Sequence, residues 1–493
     1  MHITPACWFA GLLFTAALTA TPAMASPWAE VGDNQLRGDI ELLVTSGALR
    51  SVTIHWPLPW AAIVSGLART PLDRYPAAVR AAAGRVLARA QGEAGPGLSA
   101  SLTADATNRP GVVYGFDGMG RGDAQAQLSL ERNGDVFSGR ASLGVITRNS
   151  GGRRTGKLMP EGTYLSVNIA DQLRVYAGYL DHWWGPGAIS ALSLSNNARP
   201  MPQVGIERAS SAASSWPVLR WLGPWQWEFI LGKLDGPQIQ SNTYYNAMHI
   251  TISPLKWLEL GVSKTEQFCG QGHPCAPLRD YFTNSDFAAH PDNVNGEGAL
   301  EIKLHHAVFG VPVQAWMQLM NEDYSLFNHS DTSHLFGASL WVPAPDNPVK
   351  LTAEFTDSIA TITAFAFADP AYGVSYTNGQ YPDGMRYRGR TLGFSLDDDS
   401  TLLSLQGSWT DAGGCFYELS LHHATIGDAR SIGANAVSPL PVKLNLAEAR
   451  IRLPFDLGRQ GFTLDLAGRV QDDQPRPSRG FAVAIEAGIR IGL

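Results

Sequence analysis

Residues 481–493 read FAVAIEAGIRIGL, and the fold of the chain is decided there. Phe481, Val483, Ile485, Ala487, Ile489, Ile491 and Leu493 fall on one face of an extended chain, with Glu486 and Arg490 on the other. Successive side chains of a strand point to opposite faces, so one face is apolar and the other is wet. The alternation runs to the last residue. A sheet that closes on itself needs its final strand to pair with its first, so a strand flush with the end is expected of a barrel and unusual for a soluble tail.

Working back from that strand, the same two-residue period recurs as far as about Leu98. Phe462, Leu464, Leu466 and Gly468 alternate with Thr463, Asp465 and Arg469; Val349, Leu351, Ala353 and Phe355 alternate with Lys350, Thr352 and Glu354. Ala124, Ala126, Leu128 and Leu130 alternate with Gln125, Gln127, Ser129 and Glu131, and Asn133-Gly134 then supplies a tight hairpin turn. Long segments with one apolar face and one face of Lys, Glu, Gln, Asp or Arg fit lipid outside and a wet or plugged lumen inside. About 395 residues follow Leu98, and roughly 20 to 24 per strand with its connection gives about 16 to 20 antiparallel strands, an even number being expected. The expectation is an all-β transmembrane barrel of about 18.

Before Leu98 the period is that of a helix. From Asp33, a plausible N-cap, apolar residues fall at Leu36, Ile40, Leu43 and Val44; Trp60, Ile63, Val64 and Leu67 repeat the spacing; Pro76 starts a third segment with Val79, Ala83, Val86, Leu87 and Ala90 on one side. Residues 26–95 are therefore expected to form a small helical bundle on the periplasmic side, and residues 96–493 the barrel. Residues 1–25 read as a cleaved export signal: an apolar stretch from Ala6 to Ala20, then Pro22 and Ala23-Met24-Ala25, with cleavage before Ser26. No later segment reaches 18 uninterrupted apolar residues, so a membrane crossing has to be made by a barrel. The bacterial outer membrane is the implied location.

Charged residues are 16% of the chain, against 51 Gly, 14 Trp and 14 Tyr, which suits glycine-rich turns and aromatic girdles. The formal charge of -7, with no long basic run, argues against a nucleic-acid partner. Cys269 and Cys275 bracket a flexible five-residue span and are a candidate disulfide; one His between two Cys is an incomplete metal set, so no metal is expected. Cys415 is left over and expected to be buried.

The densest motifs lie between residues 181 and 225: Asp181-His182-Trp183-Trp184-Gly185-Pro186-Gly187, Ser195-Asn196-Asn197-Ala198-Arg199-Pro200, Gly205-Ile206-Glu207-Arg208 and Trp221-Leu222-Gly223-Pro224-Trp225. With Ser26-Pro27-Trp28 and Trp56-Pro57-Leu58-Pro59-Trp60, they resemble the capsule assembly proteins of the Wzi family. The resemblance implies an outer-membrane barrel of about 18 strands with a periplasmic helical bundle, acting as a lectin that holds capsular polysaccharide on the cell surface. Pyranose rings rest on aromatic faces and their hydroxyls pair with Asn, Glu and Arg, so Trp183, Trp184, Asn196, Asn197, Arg199, Glu207 and Arg208 are the candidate polysaccharide contacts. The competing assignment makes the Trp residues girdle anchors and the charged residues a buried ionic network.

Other chemistry finds less support. Asp397-Asp398-Asp399 lacks calcium-loop spacing and is expected at a solvated hairpin tip. His305-His306 and His422-His423 are adjacent pairs that point to opposite faces of a strand. No nucleophile elbow, zinc motif or phosphate loop is present, so no catalytic residue and no cofactor are assigned. The expected partners are capsular or exopolysaccharide and outer-membrane lipid. The alternative function is a channel for export or diffusion of saccharides.

Overall fold

The computed structural model describes residues 26–493 except 96, 119, 151–152, 170–171, 237, 274, 276–293, 323–330, 345–346, 364–365, 431–434, 458–459 and 475–479. The expected export signal and its cleavage point lie outside the described residues.

Eighteen strand positions form a closed antiparallel ring. They are β1 Gly97–Thr107, β2 Ala124–Asn133, β3 Phe137–Ser150, β4 Tyr164–Ile169, β5 Leu173–Gly178, β6 Gln203–Arg208, β7 Trp225–Leu234, β8 Thr243–Leu255 and β9 Leu258–Phe268. The ring continues with β10 Val294–Val308, β11 Val311–Glu322, β12 Thr332–Val342, β13 Val349–Thr363, β14 Thr401–Thr410, β15 Phe416–Ile426, β16 Val442–Leu457, β17 Gln460–Gln474 and β18 Phe481–Gly492. Two further strands, Arg153–Met159 and Ala366–Ala371, pair with the outer ends of β3 and β13, whose inner ends pair with β4 and β14. The ring closes where β18 meets β1, from Glu486 opposite Thr107 to Gly492 opposite Ser101. The closing strand is the one whose alternation was plainest in the sequence.

The two faces separate as the pleat requires. Leu143, Val145, Leu403, Leu405, Leu419, Leu421, Phe481, Val483 and Ile485 are exposed on the outer wall, while Glu228, Glu301, Gln318, Glu354 and Arg469 are buried inside. An apolar surface this extensive is stable only against lipid. His305 is buried and His306 exposed, as are His422 and His423 respectively, so each pair does point both ways.

Three helices precede the ring: α1 Asn34–Thr45, α2 Trp60–Ala68 and α3 Ala77–Ala94. Asp33 caps α1, its carboxylate accepting from the Leu36 N–H at 3.0 Å. Ile40, Leu43, Ile63, Val79 and Val86 pack with Trp56, Trp60 and Trp183 in one apolar cluster. Helices this short need such packing. The helices occupy the end of the barrel where neighbouring strands are joined mostly by short turns. Glu41 of α1 receives Lys303 of β10 at 2.8 Å and Lys350 of β13 at 2.6 Å, and Gln314 of β11 donates to Thr45 at 2.8 Å. A buried charge set like this fixes position and orientation more than it stabilises.

At the other end, connections are long and several fold into the lumen. Trp184, Ile189, Leu192 and Leu194 from residues 179–202 meet Tyr376, Met385, Leu392, Phe394 and Leu396 from residues 372–400 in a second buried apolar cluster. The lumen is thus filled from both ends. Asp397-Asp398-Asp399 corrects the sequence expectation of a solvated tip: all three are buried, at 0%, 0% and 1% exposure. Arg386 offsets the cost for Asp397, its Nε donating to both carboxylate oxygens at 3.0 and 2.9 Å, and lies 3.6 Å from Asp398, while Asp399 accepts from the Gly373 N–H at 2.8 Å.

One sector of the wall is short. β4, β5 and β6 have six residues each, whereas β3 has 14 and β16 has 16. The connection from β6 to β7 follows, with Trp216, Val218 and Trp221 exposed on it.

Candidate functional site

The inward-folded segment 179–202 takes its shape from three devices. Trp183 and Trp184 form a two-residue antiparallel ladder with His55 and Trp56, which ties the segment to the N-terminal region. Gly185 follows with a φ of +131°, and a Cβ there would sit 2.7 Å from the Gln318 amide. Gln318 uses that space to donate to the Trp184 carbonyl at 3.2 Å and to accept from the Leu192 N–H at 2.8 Å. Glu354, on the wall, accepts the N–H groups of Ala188, Ile189 and Ser190 at 2.6, 3.1 and 2.7 Å. An irregular segment inside a barrel must satisfy its backbone this way.

The seven candidate contacts are all buried. Trp183 donates to the Gly187 carbonyl at 3.0 Å and meets Phe116 edge to face. Trp184 packs against the His55 and His249 rings. Asn196 donates to the Phe116 carbonyl at 2.9 Å. Arg199 pairs with Glu161 through Nε and donates to the Leu158 carbonyl through Nη2 at 2.9 Å. Glu207 accepts from Trp28 Nε1 at 2.5 Å and from Arg174 at 2.8 Å. Arg208 donates to the Ala212 and Trp225 carbonyls, its guanidinium 3.9 Å from the Trp225 ring centre. These six engage protein groups through a polar atom or a ring face, the arrangement that the competing assignment expects of the charged residues. Neither Trp183 nor Trp184 is a girdle anchor.

Asn197 differs. It donates to the Thr391 carbonyl and hydroxyl at 3.0 Å each, accepts from Arg390 Nη1 at 3.2 Å, and also lines a cavity of about 490 Å³. That cavity lies among four connections of the long-connection end, with Arg109, Val112, Arg390, Thr391, Ser395 and Val437 on its walls. Its size falls within the roughly 300–1,000 Å³ usual for small-molecule sites. Sequence reasoning missed Arg109 and Arg390. The available signal was the run Arg386-Tyr387-Arg388-Gly389-Arg390, three cations within five residues of a long connection in a chain poor in charge.

A second cavity, about 330 Å³, lies between the N-terminal region and the wall formed by β1, β2 and β18. Its charged lining is largely consumed by ion pairs: Arg89 with Glu93, Arg140 with Glu30 at 2.6 Å, and Arg452 with Asp465 at 2.7 Å. Cys269 and Cys275 are joined, with Cα atoms 4.5 Å apart, at the outer end of β9, and Cys415 is buried outside any disulfide. Among the described residues no group of three or more His, Cys, Asp or Glu is arranged to hold a metal ion.

Against known proteins, a family model described as capsule assembly protein Wzi matches residues 93–470. The match begins at the end of α3, so the helices lie almost wholly outside it. A solved Escherichia coli structure, described as Wzi, an outer-membrane protein involved in group 1 capsule assembly and a carbohydrate-binding β-barrel, superposes with a TM-score of 0.80 at 22% identity, covering 94% of this chain and 99% of that chain. A Klebsiella pneumoniae protein, described as an uncharacterized 55.8 kDa protein in the cps region, is 28% identical over 322 residues, or 62% of this chain. The match spans 60% of that protein's length.

Proposed function

The chain belongs to the Wzi capsule assembly family of outer-membrane barrels, and we propose that it binds polysaccharide at the cell surface and helps to assemble or anchor capsule or exopolysaccharide there. The observation that carries this is the filled lumen beside an open polar cavity. Helices fill one end and inward-folded connections the other, so the work falls to the connections. In outer-membrane barrels the short turns face the periplasm and the longer connections face outward. In this reading α1 to α3 face the periplasm and the cavity beside Asn197 faces the cell exterior.

Of the seven sequence candidates, Asn197 stays in the binding surface and the other six hold it in shape. A polymer that meets many copies of the protein gains from avidity, so a modest affinity at each cavity is sufficient to retain it. No second function is favoured, since a channel needs an open lumen.

The test is deletion of the gene, followed by measurement of cell-bound and released polymer. The expected outcome is a shift of polymer into the medium with the total unchanged. Cell-bound polymer that stays at its normal level after deletion overturns the anchoring role. Purified protein in planar bilayers is expected to show no stable conductance, and a steady open pore supports the channel instead.

A further inference from the structure

We infer that the helix-bearing rim of the barrel carries a site for an anionic phospholipid, its phosphate taken by Arg50, Arg220 and Lys256 and an acyl chain by a groove beside Trp257. The three cations come from distant parts of the sequence and are gathered by backbone contacts. Arg50 follows α1, and its Nη2 donates at 3.3 Å to the carbonyl of Ser253, near the end of β8. Arg220 opens a single 3-10 turn, Arg220–Leu222, in the connection from β6 to β7, and its carbonyl receives the Gly223 N–H at 3.2 Å. Gly223 has a φ of +65°, and a Cβ there would run into the Ser253 carbonyl and lie 3.1 Å from Arg50 Nη2. The Ser253 N–H donates to the Pro224 carbonyl at 2.7 Å, which completes the junction. Lys256 stands three residues beyond Ser253, in the turn between β8 and β9.

No carboxylate of the protein answers these cations. Residues 46–53, 209–224 and 253–258, the segments that meet here, contain no Asp or Glu. Glu259, the next acid along the chain, is fully buried and accepts the Thr53 N–H and hydroxyl at 2.6 and 2.9 Å. Among the described residues none of the three cations is in an ion pair, and all three are exposed. Apolar surface adjoins them. Trp216, Trp221 and Trp257 are 59%, 63% and 46% exposed on the same segments. Trp257 also lines a groove of about 520 Å³ on the outer wall with Leu304, His306, Val313 and Ala315 of β10 and β11. Indole rings and basic side chains gather at the depth of lipid headgroups, and phosphate oxygens match the paired donors of a guanidinium. The groove is continuous with the lipid-facing wall, which favours a lipid over an acidic protein as the occupant. In the orientation proposed above, the lipid belongs to the periplasmic leaflet.

The experiment titrates the full-length protein in detergent with phosphatidylglycerol, or with phosphatidylcholine of the same acyl chains, and counts bound lipids by native mass spectrometry. Each cation near a phosphate is worth about fivefold in affinity. The natural protein should therefore hold its first phosphatidylglycerol at least tenfold more tightly than phosphatidylcholine. Arg220→Gln combined with Lys256→Gln should weaken phosphatidylglycerol about tenfold or more and leave phosphatidylcholine nearly unchanged. Adding Arg50→Gln should abolish the preference. Trp257→Ala should weaken both lipids alike, and Arg430→Gln, an exposed arginine on a connection of the other end, should bind like the natural protein. Equal affinity for the two lipids, or a preference that survives loss of all three cations, overturns the inference. Displacement of phosphatidylglycerol by inorganic phosphate at equal concentration shows a site for free phosphate and overturns the lipid assignment. Displacement by polyglutamate at equal charge marks an acidic protein surface and overturns it as well. Heat modifiability checks that each variant is folded. Should Arg50→Gln fail that check, Arg50→Lys with the two other substitutions takes its place, and a phosphatidylglycerol preference undiminished in that variant counts against the site.

Discussion

Replacing Arg199 by Ala should cripple assembly of the barrel rather than its binding. Arg199 and Glu161 are 3% and 7% exposed in their side chains, and Arg199 also donates to the Leu158 carbonyl at 2.9 Å. Leu158 belongs to Arg153–Met159, the strand that pairs with the outer half of β3 and stands above the short sector of the wall. Removing one partner of a buried ion pair costs about 3–5 kcal/mol, because the other charge is stranded away from water. Leaving the Leu158 carbonyl without its donor adds about 1–3 kcal/mol. The sum, about 4–8 kcal/mol before relaxation, is comparable with the roughly 5–15 kcal/mol that holds most domains folded. The assay is the fraction of heat-modifiable protein in outer membranes and the melting temperature of what can be purified. Both should fall sharply in Arg199→Ala and recover largely in Arg199→Met with Glu161→Leu, where no charge is stranded. Polymer retention per folded molecule should stay normal. A variant with normal yield and melting but reduced retention would refute the reasoning and return Arg199 to the binding surface.

Trp183→Ala should lower the melting temperature, since emptying a fully buried aromatic site costs about 3–5 kcal/mol, and bilayer recordings should show added conductance if the lumen loosens. Burial pushes the His55 imidazole down to about 4 despite its contact with Glu228, so its contribution is intact above the unfolded pKa near 6.5 and is lost as pH falls through 4. Melting measured from pH 7.5 to 4.5 should therefore fall less steeply in His55→Gln than in the natural protein, and parallel curves would remove His55 as a cause. Opening the Cys269–Cys275 link with Cys275→Ser should cost about 2 kcal/mol at most, so barrel yield should hold while proteolysis beside β9 quickens. Fractionation should recover the mature protein, starting at Ser26, with the outer membrane; a soluble periplasmic product without detergent counts against the barrel.

The barrel was legible because its signal is local. Two-residue alternation, the Asn133-Gly134 turn and the apolar period of the helices all come from neighbours in sequence, and Asp33 caps α1 within three residues. The contents of the lumen were not legible, because they depend on partners far away. Trp183 and Trp184 look like surface aromatics until His55 and Trp56, about 128 residues earlier, are laid beside them. Asp397 looks solvated until Arg386 is folded back onto it. The cavity has the same character: Arg109, Asn197 and Arg390 come from three connections, and no spacing rule joins them. The helix–lumen charges were half legible, since Glu41 is plainly polar on an otherwise apolar helix but its two lysine partners lie on β10 and β13.

The short sector of the wall bears on the surrounding lipid. Six residues at about 3.3 Å each give roughly 20 Å of strand, and a tilt of about 40° reduces that to roughly 15 Å along the membrane normal, against the ~25 Å apolar height typical of these barrels. Beside β5 and β6 the acyl chains meet a strand wall too low for them, whereas above β4 the wall is carried on by Arg153–Met159. The mismatch is relieved by thinning the bilayer locally or by seating Trp216, Val218 and Trp221 into the headgroup region where strand is lacking, each at fractions of a kcal/mol per Å. This flank of the cylinder is consequently where a neighbouring protein is expected to displace lipid at reduced cost.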